Sequence, residues 1–155
     1  MARKRPASRV FLDSNVILSG LLSDRGAPRI ILDLVCLELA TLKGLTGAYN
    51  LIEIERNLAR KFPALVPVYE QYLPRLNLDV VPLPTREEIA SHLGVTADKD
   101  VPVLVSALNG RADFLVTGDN KDFGPLKKLR KFPFRIVTPA EFLAVAGEVI
   151  SAGMG

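Results

Sequence analysis

The chain has 155 residues, 48% apolar and 24% charged, a balance that excludes a disordered polypeptide and suits one domain with a substantial core. Aromatic side chains make up 6% and Trp is absent, so Leu, Val, Ile and Ala must build that core. One cysteine, Cys36, excludes an internal disulfide and a cysteine-based zinc cluster, and a net charge of +3 permits a nucleic-acid partner without requiring one.

Residues 1–8, "MARKRPAS", read as a basic arm, with 9–147 as one domain and 148–155 as a tail. No apolar run reaches the roughly 18 residues of a membrane span. The segment after the arm, "VFLDSNVILSG", is broken by Asp13 and Asn15 and makes no signal-peptide core, so a cytoplasmic protein is expected. Arg9 to Leu12 is a short β-prone run and reads as a buried strand. Asp13 and Ser14 can cap a helix from about Asn15 to Leu22, and "SDRGAP" is a loop. A helix over 28–40 follows, with Pro28 in the first turn, where proline is tolerated. "TLKGLTG" holds a strand. Residues 48–61 have helical spacing, with Ala48, Leu51, Ile52, Leu58 and Ala59 on one face.

Residues 61–76 read as a further helical segment interrupted at Pro67 and Pro74, and "LDVVPLP" as a strand that must stop at its prolines. Thr85 and Glu88 form the capping-box pattern, closed by Gly94. "DKDVPVLVSALNG" is an Asp-capped helix. A strand over 113–116, a loop, the basic segment "KKLRKFPFR", a strand at 135–137 and a helix from "TPAEFLAVA" complete the chain. Strands alternate with helices throughout, which predicts an α/β domain of three layers around a parallel sheet.

Two of the strand-like runs end in acid. Val10-Phe11-Leu12 runs into Asp13, and Phe114-Leu115-Val116 runs into Thr117, Gly118 and Asp119. In an open parallel sheet, ligands bind beyond the carboxyl ends of the strands at the switch point. Asp100 heads the helix before the second of these strands, and Glu53 or Glu55 projects from the helix over 48–61. Carboxylates gathered in one cleft raise one another's pKa unless a cation sits among them. Oxygen ligands suit Mg²⁺ or Mn²⁺, and one His with one Cys leaves softer metals without donors. Each acid also has a plain reading. Asp13 would cap a helix, Asp119 would make an Asx-turn, Asp98 or Asp100 would cap, and a helical glutamate commonly faces solvent.

Four segments in order resemble the PIN-domain family of metal-dependent ribonucleases. "VFLDSNVILSG" is similar to its strand followed by D-[ST]-N. "LIEIERNLARKF" is similar to its helix with a single essential Glu. "DKDVPVLVSALNGRADFLVTGD" resembles its Asp-capped helix and T-x-D strand end, and "RIVTPAEFL" its closing segment. The resemblance covers about residues 9 to 145. It implies a short central parallel sheet flanked by helices, bound Mg²⁺ or Mn²⁺, hydrolysis of RNA, a homodimer, and for many members an antitoxin protein as partner. Residue by residue it implies Asp13, Glu53, Asp100 and Asp119 as catalytic metal ligands. Asn15 and Thr117 match the family's supporting polar residues.

The pattern E-x-x-x-N-L selects Glu53 over Glu55 through Asn57 and Leu58, although Glu55 lies nearer the apolar stripe. Ser14, Asp98 and Asp122 can act from the outer shell. Lys121, Lys127, Lys128, Arg130 and Lys131 are expected to hold the RNA backbone. Phe123, Phe132 and Phe134 interleave with them as stacking faces or as core. The lone His92 reads as a helix-surface residue. A haloacid-dehalogenase-like phosphatase needs an acid where Asn15 stands, and a receiver domain needs an acidic pair before its first Asp, so neither pattern is present. The remaining alternative is a PIN-like module that binds RNA or protein without catalysis.

Overall fold

The computed structural model describes residues 7–127 and 132–152. Among these residues five strands, β1 (Ser8–Leu12), β2 (Leu42–Gly47), β3 (Asp79–Val81), β4 (Phe114–Val116) and β5 (Arg135–Val137), form one sheet in the order β3-β2-β1-β4-β5. Every pairing is parallel, with Phe11 beside Leu45 on one side and Leu115 on the other, and Leu12 beside Val116. Among the described residues eight α-helices connect and cover the strands: α1 (Ser14–Leu22), α2 (Ala27–Cys36), α3 (Ala48–Lys61), α4 (Val66–Leu76), α5 (Arg86–Ala90), α6 (Val101–Asn109), α7 (Asn120–Lys127) and α8 (Pro139–Ala152). The three-layer α/β expectation agrees with this parallel sheet and its flanking helices.

The central strand explains its own sequence. β1 is covered on both faces, so Val10, Phe11 and Leu12 are all fully buried and the run is continuously apolar rather than alternating. Val10, Leu12 and Val116 face a core filled by Val16 and Ile17 of α1, Ile31 and Leu32 of α2, Ile54 and Leu58 of α3, and Phe142 of α8. Phe11, Leu45 and Leu115 face the other layer, against Val103, Leu104 and Ala107 of α6 and Phe123 and Leu126 of α7. Phe114 meets Phe142 edge-on, with ring centres 5.4 Å apart.

Local rules were overridden in several places. α2 stops at Cys36, short of Ala40, because Glu38 adopts a left-handed backbone (φ 51°). Pro67 sits in the first turn of α4, and Pro74 lies inside it without ending it; the helix closes at Asn77 with φ 47°. The stretch after Asp119, expected as a loop, forms α7 despite Pro125, because Phe123 and Leu126 bury themselves one turn apart. α8 runs on to Ala152, past residue 147. On α3 the buried stripe is Asn50, Ile54 and Leu58, whereas Ile52 and Ala59 are exposed. Counting only apolar residues rotated that face. No described helix is long and apolar enough to cross a membrane.

Candidate active site

β1 lies at the switch point, with β2 on one side and β4 on the other. The crevice that parallel α/β sheets use for ligands therefore opens beyond Leu12 and Val116. Asp13 and Thr117 are the next residues on each strand. The pairing continues through them, since Asp13 N–H donates to the Val116 carbonyl (3.0 Å) and Thr117 N–H to the Val137 carbonyl (3.0 Å).

Asp13 does cap α1, accepting from Ser14 N–H through Oδ1 at 2.7 Å. It also does more than cap. Oδ1 accepts from Asn50 Nδ2 (3.1 Å), and Oδ2 accepts from Thr117 Oγ1 (2.7 Å) and Asn15 Nδ2 (3.5 Å). Only 5% of Asp13 is exposed. Burial pushes its carboxyl up to about 6; Glu53 and Asp119 push the same way, against the Thr117 and Ser14 donors. The crevice thus holds an ionisable group at a standing electrostatic cost.

Glu53 projects half-buried from α3 and accepts from Ser14 Oγ at 2.9 Å, which joins it to the residue beside Asp13. Glu55 is exposed. Asn57 accepts from Arg60 (3.4 Å) and takes no part in the bonds that join Asp13, Ser14 and Glu53. Asp100 is buried at the end of a 3-10 turn, Asp98–Asp100, and occupies the N-cap position of α6 without a side-chain capping bond. Asp98 is exposed at the start of that turn.

Tyr49 feels three of the acids. Its phenol is pushed up by burial first and then by Glu53, Asp100 and Asp13, while its hydroxyl donates to the Lys99 carbonyl (3.2 Å). Asp119, half-buried, donates its N–H to Thr117 Oγ1 (3.0 Å), and Asn15 Oδ1 accepts from Gly118 N–H (2.9 Å). The loops after β1 and β4 are therefore laced together.

Lys121 is exposed, on the first turn of α7. The side chains of Asp122 and Lys127, and the whole of Lys128, Arg130 and Lys131, lie outside the described residues, as do residues 1–6 of the arm. Phe123 and Phe134 belong to the core, so neither offers a free stacking face; Phe132 stacks on Phe134 at 5.4 Å. His92 contacts the Glu88 carbonyl (2.8 Å) beyond the end of α5.

Asn50 was not singled out by the sequence. It is fully buried, yet its amide donates to Asp13 Oδ1 and to Ser14 Oγ (2.9 Å). The available signal was its spacing: three residues before Glu53, it shares that residue's side of the helix.

The donors are all oxygens, which fits a hard divalent cation. Among the described residues, no three acidic, His or Cys side chains stand close enough to close around one ion. Both oxygens of Asp13 are taken by protein donors.

Fold and crevice together define a three-layer α/β protein with an acidic, oxygen-rich switch point. A family model described as PIN domain matches residues 9–121, and the chain belongs to that family of nucleases. No curated protein matches it significantly. Among solved structures, DNA-bound VapBC from Salmonella typhimurium is similar at 17% identity and TM-score 0.62, covering 85% of this chain and 98% of that one. FitAcB from Neisseria gonorrhoeae is similar at 20% identity and TM-score 0.58, covering 84% and 98%. VapBC2 from Rickettsia felis, bound to a DNA fragment from its promoter, is similar at 14% identity and TM-score 0.53, also covering 84% and 98%. At these identities the likeness is one of fold.

Proposed function

We propose that the protein is a Mg²⁺- or Mn²⁺-dependent endoribonuclease that hydrolyses RNA phosphodiester bonds, the toxin of a toxin–antitoxin pair. One observation carries this reading: Asp13, buried at the switch point, feels the charges of Glu53 and Asp119, and Tyr49 feels Asp100 as well. On this reading four acids from four separate segments address one crevice. Asp13, Glu53, Asp100 and Asp119 would hold the metal. A bound divalent ion supplies an activated water at neutral pH and neutralises charge developing on the phosphate. Thr117 and Asn15 fix the carboxylate plane of Asp13, and Ser14 fixes Glu53. Lys121 and the basic run after it supply sequence-independent attraction to the RNA backbone. An antitoxin protein and a second copy of the chain complete the proposed partners, by family resemblance.

A second reading, a PIN-like module that binds without cleaving, is favoured by the separation of the carboxylates among the described residues. Cleavage of single-stranded RNA with Mn²⁺ or Mg²⁺, and its loss in EDTA and in an Asp13→Asn, Asp119→Asn double variant, separates the two. Equal cleavage by wild type and double variant refutes the nuclease reading, and RNA binding without cleavage supports the second.

A further inference from the structure

A fully buried amide beside the acids is an expensive feature for a fold to keep. Asn50 Nδ2 bridges two groups, Asp13 Oδ1 at 3.1 Å and Ser14 Oγ at 2.9 Å, and Ser14 Oγ in turn donates to Glu53 Oε1 at 2.9 Å. Its own Oδ1 is buried with no hydrogen-bond partner among the described residues. The amide orientation follows from its neighbours: turned over, it would set its oxygen against the Asp13 carboxylate. A buried acceptor left without a partner calls for a compensating role. Leucine at this position would bury similar volume with no polar atom to satisfy.

The backbone around Asn50 is shaped to admit it. A Cβ on Gly47 would sit 2.8 Å from Asn50 Oδ1, inside the closest approach that carbon tolerates, and 3.0 Å from Ser106 Oγ, a tight contact. The φ of Gly47 is −94°, open to any residue. A side chain there would therefore displace Asn50, whereas the backbone conformation alone admits any residue.

We infer that Asn50 is a positioning residue of the acidic crevice, one amide that sets Asp13 on the β1 end and, through Ser14, Glu53 on α3 in a fixed mutual arrangement, with Gly47 keeping its place open. The inference rests on the nuclease reading for its purpose, though not for its geometry. Without the amide, Asp13 Oδ1 keeps only the Ser14 N–H, and Ser14 Oγ loses the donor that leaves its own proton directed at Glu53. Groups of this kind orient metal ligands, and their removal weakens metal binding by about 10–100-fold.

The test uses the full chain. Calorimetric titration with Mn²⁺ compares wild type, Asn50→Leu and Gly47→Ala, with circular dichroism melts to establish folding. The expected result is folded protein with Mn²⁺ affinity lowered about 10–100-fold in both variants, one by deleting the amide and the other by displacing it. Wild-type affinity in both overturns the inference. A second, metal-free measurement follows the Asn50 side-chain amide in ¹⁵N correlation spectra. Displaced resonances with slow solvent exchange that move in Ser14→Ala are expected, and resonances typical of a free amide, unchanged in Ser14→Ala, overturn the inference. If wild type takes up no Mn²⁺, the metal reading falls, and the amide spectrum alone decides the role of Asn50.

Discussion

Replacing Asp13 with Asn should abolish cleavage and, in the absence of metal, make the protein more stable. Burial, Glu53 and Asp119 raise the Asp13 carboxyl from an ordinary 3.8 to about 6. The native state therefore holds this proton more tightly than the unfolded chain does. Its contribution to stability is full below pH 3.8 and is lost as the pH rises to about 6. Two pH units correspond to about 3 kcal/mol. Asparagine removes that cost but cannot copy every bond. Its carbonyl can accept from Ser14 N–H and Asn50, whereas its NH₂ then faces Thr117 Oγ1, which loses an acceptor worth about 1 kcal/mol.

The net gain above pH 7 is about 2 kcal/mol, or roughly 4–8 °C in Tm for a domain of this size. Thermal melts of both proteins in EDTA at pH 7.5 and pH 4 measure it. The other carboxylates are common to both proteins and cancel in the difference. The advantage should shrink towards zero or reverse at pH 4. An Asn variant that is equally destabilised at both pH values refutes the reasoning.

Glu53→Gln should lower RNA cleavage by about 100-fold or more, given the usual cost of removing a charge-stabilising group, whereas Glu55→Gln, changed at an exposed position, should stay within about twofold in the same assay. Gly44→Ala should destabilise the fold by about 1–3 kcal/mol in urea titration, because its Cβ would meet Val35 Cγ1 at 2.7 Å and Leu78 Cδ2 at 2.8 Å. Cleavage per folded molecule should be unchanged there, since β2 contributes no residue to the crevice at that point.

The sheet and the acids at its edge were legible because both depend on short-range signals. Continuous apolar runs marked β1 and β4, and an acid one residue after the first run and three after the second fell beyond the strand ends that parallel sheets expose. What escaped was decided by tertiary contact. Asn50 is polar, so a wheel weighted by hydrophobicity set it aside, although it lies in the same buried row as Ile54 and Leu58. α7, expected as a loop, contains Gly124 and Pro125, and the burial of Phe123 and Leu126 holds the segment helical. The sequence favoured the core for Phe134 and left Phe123 and Phe132 open between stacking face and core, because the sheet face that Phe123 fills is invisible in sequence.

The middle place of β1 has a consequence for synthesis on the ribosome. The strand that bears Asp13 emerges early, but its neighbour β4 ends at Val116, so the ladder between them waits for about a hundred intervening residues. A nascent chain that stops before Phe114 lacks β4, the strand that pairs with β1 on the side away from β2, and so owns only part of the crevice. The two strand ends that flank the crevice are therefore separated by most of the time the ribosome spends on the chain.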